Sequence, residues 1–226
     1  MNWSDSLDLY CERTDPSLWS EPLNALSNLG FLLVAGLVLR QLGRQGPRDL
    51  RLLALLVGLV GLGSLAFHTL ATRWSAVLDV GFIALFILAY YQRFQVWRLG
   101  AREAHAWAGV GLFVLLALGF GLVVRALQPL PLNGSEIYLP PLALLLYCTW
   151  RARRCNARAG RWLAGACLGF GFSLSCRMAD QALCPVWPLG THMGWHLGNA
   201  WVLYACLQGL GDGWGVRNSF RPNGLN

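Results

Sequence analysis

The stretch GTHMGWHLGNAWVLYACLQG, residues 190 to 209, is a largely apolar segment that carries two histidines, His192 and His196, four positions apart. In an α-helix, residues at i and i+4 lie on one face with their Cβ atoms about 5 to 6 Å apart. The segment is about as long as a helix that crosses the ~30 Å hydrocarbon core of a bilayer. It therefore predicts a membrane-spanning helix with both imidazoles on one face.

The composition extends this prediction to the whole chain of 226 residues. Hydrophobic residues make up 55% of the chain and charged residues only 13%, which argues against an ordinary soluble domain. Long apolar blocks recur along the sequence, and a helix satisfies the backbone hydrogen bonds of such a block within lipid. We predict an all-α, polytopic membrane protein, a bundle of seven transmembrane helices at residues 22–41, 52–71, 77–92, 106–127, 138–150, 162–183 and 190–209.

The segments outside these blocks give the chain three parts. Residues 1–21 are polar and acidic, so we predict no cleavable signal sequence and interpret them as an extracytoplasmic segment. Residues 22–209 form a single transmembrane domain, and residues 210–226 form a cytoplasmic tail. One bundle domain is therefore the simplest organisation.

The eighteen positive side chains are all arginine, and their distribution predicts the orientation. Fourteen lie in alternate connections and in the tail, whereas Arg13, Arg73 and Arg125 lie on the opposite side and Arg177 lies within a block. By the positive-inside rule, the amino terminus faces out and the carboxyl terminus faces the cytoplasm. This topology accounts for the net charge of +7, so nucleic acid is not expected as a partner. The absence of lysine and the short loops favour a bacterial inner membrane.

Polar side chains inside predicted spans are costly in lipid, so each one is a candidate functional residue. The predicted topology places five of them at one depth in the outer half of the bilayer: Ser64, His68, Asp79, His192 and His196. Two others, Arg177 and Asp180, lie three positions apart in the sixth block. We predict that these two form a structural ion pair.

Three of the four histidines of the chain fall at this common depth. Three neutral imidazoles from two helices form the open site that a catalytic zinc ion prefers, with a fourth position free for water. Asp79 is near enough in depth to orient that water or to accept its proton. The residues alone leave alternatives open, since a lone histidine within a membrane is usually a packing residue and HxxxH also suits haem or a proton relay. The fourth histidine, His105, lies in an arginine-rich connection and is expected to be solvated.

Several motifs together resemble the alkaline ceramidase family. They are SLAFH ending at His68, Asp79 eleven residues later, the late THMGWH, and the early YCER and EPLNALSN. This family belongs to a superfamily of seven-helix intramembrane hydrolases that also includes the progestin and adiponectin receptors. The resemblance implies that His68, His192 and His196 hold zinc. It also implies that Asp79 acts on the zinc-bound water and that Ser64 positions the metal site or stabilises the oxyanion.

The activity that this resemblance implies is hydrolysis of the N-acyl amide bond of ceramide-like lipids to a fatty acid and a sphingoid base. Zinc lowers the pKa of a bound water to about 7 and polarises the acyl carbonyl. The expected partner is therefore a membrane lipid substrate, ceramide or another N-acyl lipid. The alternative is a receptor-like seven-helix membrane protein with a structural zinc site.

The acidic amino-terminal segment resembles the calcium-binding segment of the eukaryotic members of this family. Carboxylate oxygens at close spacing are suitable ligands for calcium. Two residues match the ligand positions of the family, but Leu9 and Thr14 stand where the family has an Asp and an Asn. The predicted calcium ligands are the two matching residues, Glu12 and Glu21, and two candidate substitutes, Asp8 and Asp15.

The seven cysteines lack the CxxC spacing of a thiolate zinc site. Five of them lie in or near spans and are expected to pack as small apolar residues. Cys11 and Cys184 are both predicted on the outer side, where an oxidising compartment permits a disulfide. Their positions resemble those of a disulfide of the family, which implies a bridge between the acidic segment and the connection before the last helix.

Overall fold

Helices account for all the regular secondary structure in the residues that the computed structural model describes, which are 2–127 and 132–212. The predicted cytoplasmic tail, residues 210–226, lies mostly outside these ranges. The helices are α1 (Pro22–Ser27), α2 (Leu29–Leu42), α3 (Arg48–Leu70), α4 (Arg73–Leu99), α5 (Glu103–Leu127), a 3₁₀ helix (Ser135–Tyr138), α6 (Leu139–Cys155), α7 (Ala157–Leu183) and α8 (His192–Gly211).

Each of the seven predicted blocks coincides with helical structure, although several bounds differ. The first block is divided between α1 and α2, the third lengthens to Arg73–Leu99, and the fifth lengthens to Leu139–Cys155. Within the described ranges, four segments are long and apolar enough to cross a membrane: Pro22–Leu42, α3, α4 and α5. The chain is thus an all-helical protein with four candidate spans. The count of seven crossings and the orientation stay predictions.

The break between α1 and α2 lies at Asn28, which the sequence analysis did not predict. The N–H of Asn28 donates to the carbonyl of Ala25 at 3.3 Å, three residues back rather than four. Its side-chain amide donates to the carbonyl of Asn24 at 2.8 Å, which is the acceptor that a continuous helix would give to the backbone N–H. The chain therefore tightens for one turn before α2 begins.

The connection between α3 and α4 is only two residues long. Ala71 ends α3 in the left-handed conformation, at φ 44°, and its N–H donates to the carbonyl of Phe67 at 2.7 Å. Thr72 and Ser75 then form a capping box at the start of α4. Because the turn is so short, the end of α3 and the start of α4 stay side by side, which brings His68 and Asp79 to the same end of the bundle.

Helix α8 is the central helix of the described bundle. It packs along α7 and also contacts α1, α2, α3 and α4. A Cβ added at Gly198 would lie 2.8 Å from the Cβ of Ser173, so the absence of a side chain there lets α7 and α8 approach closely. This central position places side chains from α8 within reach of α1 and α3.

Candidate metal centre

Three imidazole rings from two helices meet at the end of the bundle that contacts the amino-terminal segment. His68 lies in the last turn of α3, and His192 and His196 lie at the start of α8. Each residue is at most 1% exposed, and one ring nitrogen of each lies within 4.8 Å of the other two. In the described part of the chain, this is the only group of three or more His, Cys, Asp or Glu side chains close enough to hold one metal ion.

Hydrogen bonds fix the orientation of two of these rings. Nδ1 of His68 lies 2.6 Å from Oε2 of Glu21, and Nδ1 of His196 lies 2.7 Å from the hydroxyl of Ser27. Nε2 of His68 is buried and has no hydrogen-bond partner among the described residues. A metal-ligating histidine generally bonds a polar group through its other ring nitrogen. The residues therefore fit a metal ion. The rings of His68 and His196 are each fixed through Nδ1, and Nε2 of His68 is left without a partner.

Glu21 connects several of the groups around His68. Its carboxylate is 2% exposed and accepts hydrogen bonds from Nε of Arg13 at 2.5 Å and from the side-chain amide of Asn24 at 3.1 Å. Burial raises the pKa of Glu21, whereas its hydrogen bonds with His68, Asn24 and Arg13 lower that pKa, and the net result is a pKa below the ordinary value. An ionised carboxylate is therefore maintained beside His68.

The start of α8 is fixed by Asp180 of α7. Its Oδ1 accepts the backbone N–H groups of Thr191 at 2.7 Å and His192 at 3.0 Å, and its Oδ2 accepts the N–H of Cys11 at 2.9 Å. A carboxylate at a helix amino terminus satisfies free donors and complements the helix dipole. The ring of His192 stacks on Tyr10 with centroids 3.6 Å apart. Asp180 therefore positions His192 and holds the amino-terminal segment against α8.

Arg177 does not form the predicted ion pair with Asp180. That carboxylate is occupied by three backbone N–H groups, two at the start of α8 and one at Cys11 of the amino-terminal segment. The guanidinium of Arg177 instead donates to the hydroxyl of Tyr10 at 2.6 Å. Its central carbon lies 5.3 to 5.6 Å from the ring centroids of Tyr10, Tyr138 and Trp195. The guanidinium of Arg177 is therefore held by the Tyr10 hydroxyl and by aromatic faces.

Ser64 and Asp79 lie near the histidines. The predicted topology had placed these side chains at one depth in the bilayer. The hydroxyl of Ser64, one turn before His68 on α3, lies 3.5 Å from Nε2 of His196. Asp79 on α4 is partly buried, and its Oδ1 has no hydrogen-bond partner in the described structure. Both residues line one cavity together with His196. A buried carboxylate oxygen without a partner has the capacity to hold a proton or a water molecule.

The cavity that these residues border is otherwise mainly apolar. Its lining includes Phe86, Leu145 and Val202, and it also reaches Tyr90. Asp79 and Tyr90 are eleven residues apart on α4, which corresponds to about 16 Å along the helix. Mainly apolar cavities with a few polar groups are typical of ligand-binding sites. This cavity therefore has the composition of a binding site for a largely apolar ligand.

The four acidic side chains that the resemblance assigned to calcium have other surroundings. Both carboxylate oxygens of Glu12 accept backbone N–H groups at the start of α1, at 2.7 and 2.8 Å. Glu21 is bonded to the partners given above, Asp15 accepts a backbone N–H two residues further on at 2.7 Å, and Asp8 is exposed. These carboxylates form no metal-holding group within the described ranges. Calcium binding therefore stays a prediction.

Cys11 and Cys184 form a disulfide, with their Cα atoms 5.4 Å apart. The bridge that the resemblance implied is thus confirmed. It joins the amino-terminal segment to the connection between α7 and α8, while the other five cysteines are free. The disulfide and the Asp180 hydrogen bonds together hold the segment close to the histidines.

Several residues that surround the candidate metal centre were not predicted from the sequence. Arg13 was assigned only to the outer side, and Ser27 and Asn24 were noted only within the motif EPLNALSN. A signal for the last two exists, because the polar residues Asn24, Ser27 and Asn28 at i, i+3 and i+4 lie on one face of a helix that begins an apolar block. No sequence signal assigns Glu21 to His68 rather than to calcium.

No protein-family model matches this chain, and no curated protein matches it either. The chemistry of the site therefore has to come from its own geometry. It combines a buried set of three imidazoles, a carboxylate with an unpartnered oxygen, a nearby hydroxyl and a mainly apolar cavity. These groups together offer metal ligands, a proton acceptor and an apolar binding surface.

Proposed function

We propose that this chain is an intramembrane, zinc-dependent amidohydrolase that cleaves the N-acyl amide bond of ceramide-like lipids. The observation that carries the proposal is the buried group of His68, His192 and His196 beside an apolar cavity that Ser64 and Asp79 also line. Metal-assisted hydrolysis requires metal ligands, a proton acceptor and a substrate pocket in one place. The geometry supports this reaction class better than a purely structural role for the histidines.

The surface of the bundle supports a location in the membrane. Helix α5 is exposed along most of its length, and Leu115, Leu118 and Leu122 are each more than 60% exposed. Such a continuous apolar surface is unfavourable in water and favourable in lipid. The proposed topology has seven crossings of a bacterial inner membrane with the amino terminus outside, because the arginine-rich connections then share the cytoplasmic side.

The donor set supports zinc as the metal. Three neutral imidazoles with an open fourth position are a common ligand set of catalytic zinc. When bound, the metal supplies Lewis-acid polarisation of the acyl carbonyl and lowers the pKa of a water ligand. Glu21 and Ser27 hold the rings of His68 and His196 from behind, which keeps their other nitrogens available to a common centre.

Asp79 provides the acid–base function in this proposal. Its unpartnered Oδ1 accepts a proton from the attacking water as the water oxygen bonds to the acyl carbon. The same carboxyl group then donates that proton to the amide nitrogen as the C–N bond breaks, so that a fatty acid and a free amine leave. The hydroxyl of Ser64 donates to the acyl oxygen while negative charge develops on it.

The apolar cavity accounts for the lipid nature of the substrate. Its lining residues Asp79 and Tyr90 lie about 16 Å apart along α4, and in this proposal the acyl chain lies along that stretch of the bundle. The amide of such a lipid then lies beside the histidines at the end of the bundle that contacts the amino-terminal segment. A site just beneath the outward-facing headgroups is within reach of a substrate that diffuses in the outer leaflet.

A matched pair of substrates tests the proposal. Purified protein is given an N-acyl sphingoid base and an ester of the same fatty acid, and fatty-acid release is followed by mass spectrometry. We expect the amide to be cleaved, the activity to disappear after treatment with a chelator, and zinc but not magnesium to restore it. Zinc-loaded protein that cleaves neither lipid contradicts the proposal and favours the receptor-like alternative.

A further inference from the structure

Arg13 is a buried cation beside the metal centre, and its side chain is only 2% exposed. All the acceptors of its guanidinium are oxygen atoms. Nε donates to Oε1 of Glu21 at 2.5 Å, and Nη2 donates to the main-chain carbonyl of His68 at 3.1 Å. Nη1 donates to the main-chain carbonyls of Asp15 and Ser17 at 3.0 and 3.3 Å. The guanidinium thus fills a cage of four oxygens that come from three parts of the chain.

This guanidinium is linked to His68 by two routes. One route is the carboxylate of Glu21, whose other oxygen lies 2.6 Å from Nδ1 of His68. The other is the carbonyl of His68 itself near the end of α3, where a positive charge complements the helix dipole. A buried carboxylate needs a paired positive charge, and the planar fork of arginine satisfies several acceptors at once. Arg13 therefore holds Glu21 in contact with the ring of His68.

The cage has the composition of a calcium site, since it consists of one carboxylate and several main-chain carbonyls. The other carboxylate that would complete such a site, Glu12, has both oxygens bonded to backbone N–H groups of α1. We propose that Arg13 takes the place of an external calcium ion: its guanidinium fixes Glu21 against His68 and so holds the tri-histidine centre in shape without calcium. The inference rests on the proposed function only in treating His68 as a metal ligand.

The first test is the dependence of metal affinity on calcium. The affinity of metal-free wild-type protein for cobalt(II), a spectroscopic substitute for zinc, is measured by competition with a chromophoric chelator. The measurement is made in calcium-depleted buffer and again with millimolar calcium. We expect the two affinities to agree within about twofold, because the cation is already present in the chain. An affinity that rises about tenfold with calcium overturns the proposal.

The second test removes the guanidinium. Arg13→Ala is expected to weaken cobalt binding by about tenfold or more, the usual effect of losing support behind a ligand. Free guanidinium at about 10 mM, far below its denaturing range, is expected to restore most of that affinity, whereas urea at the same concentration is not. Arg73→Ala is the matched control, since Arg73 forms an exposed pair with Asp5. We expect wild-type affinity in this control.

A second variant guards against a failure of Arg13→Ala to fold. Arg13→Gln retains much of the side-chain volume while it removes the charge, and we expect the same loss of cobalt affinity. Wild-type affinity in a folded Arg13→Ala or Arg13→Gln protein overturns the proposal. Because the readout is metal binding, a wild-type protein that binds cobalt but cleaves no lipid removes the proposed reaction and leaves this inference in place.

Discussion

Helix α5 is largely exposed, whereas helix α8 is largely buried among the other helices. The α5 segment has the highest mean hydropathy of the four candidate spans, 2.4, yet only Ala106 and Val110 of its 25 residues are buried. Helix α8 is not among the four candidate spans within the described ranges, yet twelve of its 20 residues are buried and two of them are proposed metal ligands. Hydropathy therefore identifies the exposed apolar helix better than the helix on which the candidate site depends.

The difference has a physical origin in what each helix contacts. Side chains that face lipid need only be apolar, so the exposed leucines of α5 give a strong and simple signal. Helix α8 packs against five other helices, and close packing inside a membrane favours small residues and polar groups that find partners. Matched substitutions in the two helices are therefore expected to differ strongly in their effects on zinc content, activity and stability.

The largest contrast is expected between two histidines. His196→Ala removes a proposed, buried metal ligand, so we expect zinc content to fall to a small fraction of one per chain and hydrolysis to fall more than about 10³-fold. His105→Ala changes an exposed residue in the first turn of α5 and is expected to alter neither. Metal analysis and fatty-acid release measure both effects. Normal zinc content in the His196→Ala variant contradicts the assignment of His196 as a metal ligand.

The next contrast separates the reaction from metal binding. Asp79→Asn removes the proposed proton acceptor but none of the imidazoles, so we expect kcat to fall by about 10² to 10⁴ while zinc content is unchanged. Asp5→Asn, at an exposed carboxylate paired with Arg73, serves as the control. Turnover numbers and zinc content are measured on the same preparations. A simultaneous loss of zinc in Asp79→Asn assigns Asp79 a structural role instead.

A third contrast concerns disulfide tethering. The connection before α8 carries a disulfide, whereas no disulfide adjoins α5 among the described residues. Replacing both Cys11 and Cys184 by serine opens a loop of 173 residues, and we expect the free energy of unfolding to fall by about 2 to 5 kcal/mol. Cys155→Ser, at an exposed free cysteine, is expected to have little effect. Thermal unfolding in detergent provides the measurement. Equal melting temperatures for the two proteins contradict the tethering role.

The smallest contrast is expected between two glycines. Gly198→Ala puts a Cβ 2.8 Å from Ser173, so we expect a loss of about 1 to 3 kcal/mol from overpacking between α7 and α8. An added Cβ at Gly119 of α5 meets nothing within 4 Å, and Gly119→Ala is expected to be neutral or slightly stabilising because alanine favours a helix. Thermal unfolding of both variants measures the difference. A stability loss as large in Gly119→Ala indicates an unrecognised contact of α5.

Much of the fold and the histidine group was predictable from the sequence. Apolar length identifies helical blocks, and the spacing of His192 and His196 within one block fixes their common face. His68 joined them because the alternation of arginines put it at the same depth. These predictions depend on helix periodicity and on the cost of polar groups in lipid, both of which are local properties of the chain.

The groups that surround the histidines were less predictable, because they depend on tertiary contacts. The spacing of Arg177 and Asp180 indicated an ion pair, but backbone donors at the start of α8, twelve residues away, occupy the carboxylate instead. Glu21 resembled a calcium ligand in sequence, whereas in the fold it contacts both Arg13 and His68. Neither arrangement has a fixed sequence spacing from which it can be read.

The most direct test of the metal centre is the X-ray absorption spectrum of the purified protein at the zinc edge. The account predicts about one zinc per chain with three imidazole nitrogens at about 2.0 to 2.1 Å. In protein with His68→Ala, the number of imidazole ligands or the zinc content itself should fall. A stoichiometric metal without histidine in its coordination sphere, or no bound metal after zinc reconstitution, contradicts the account.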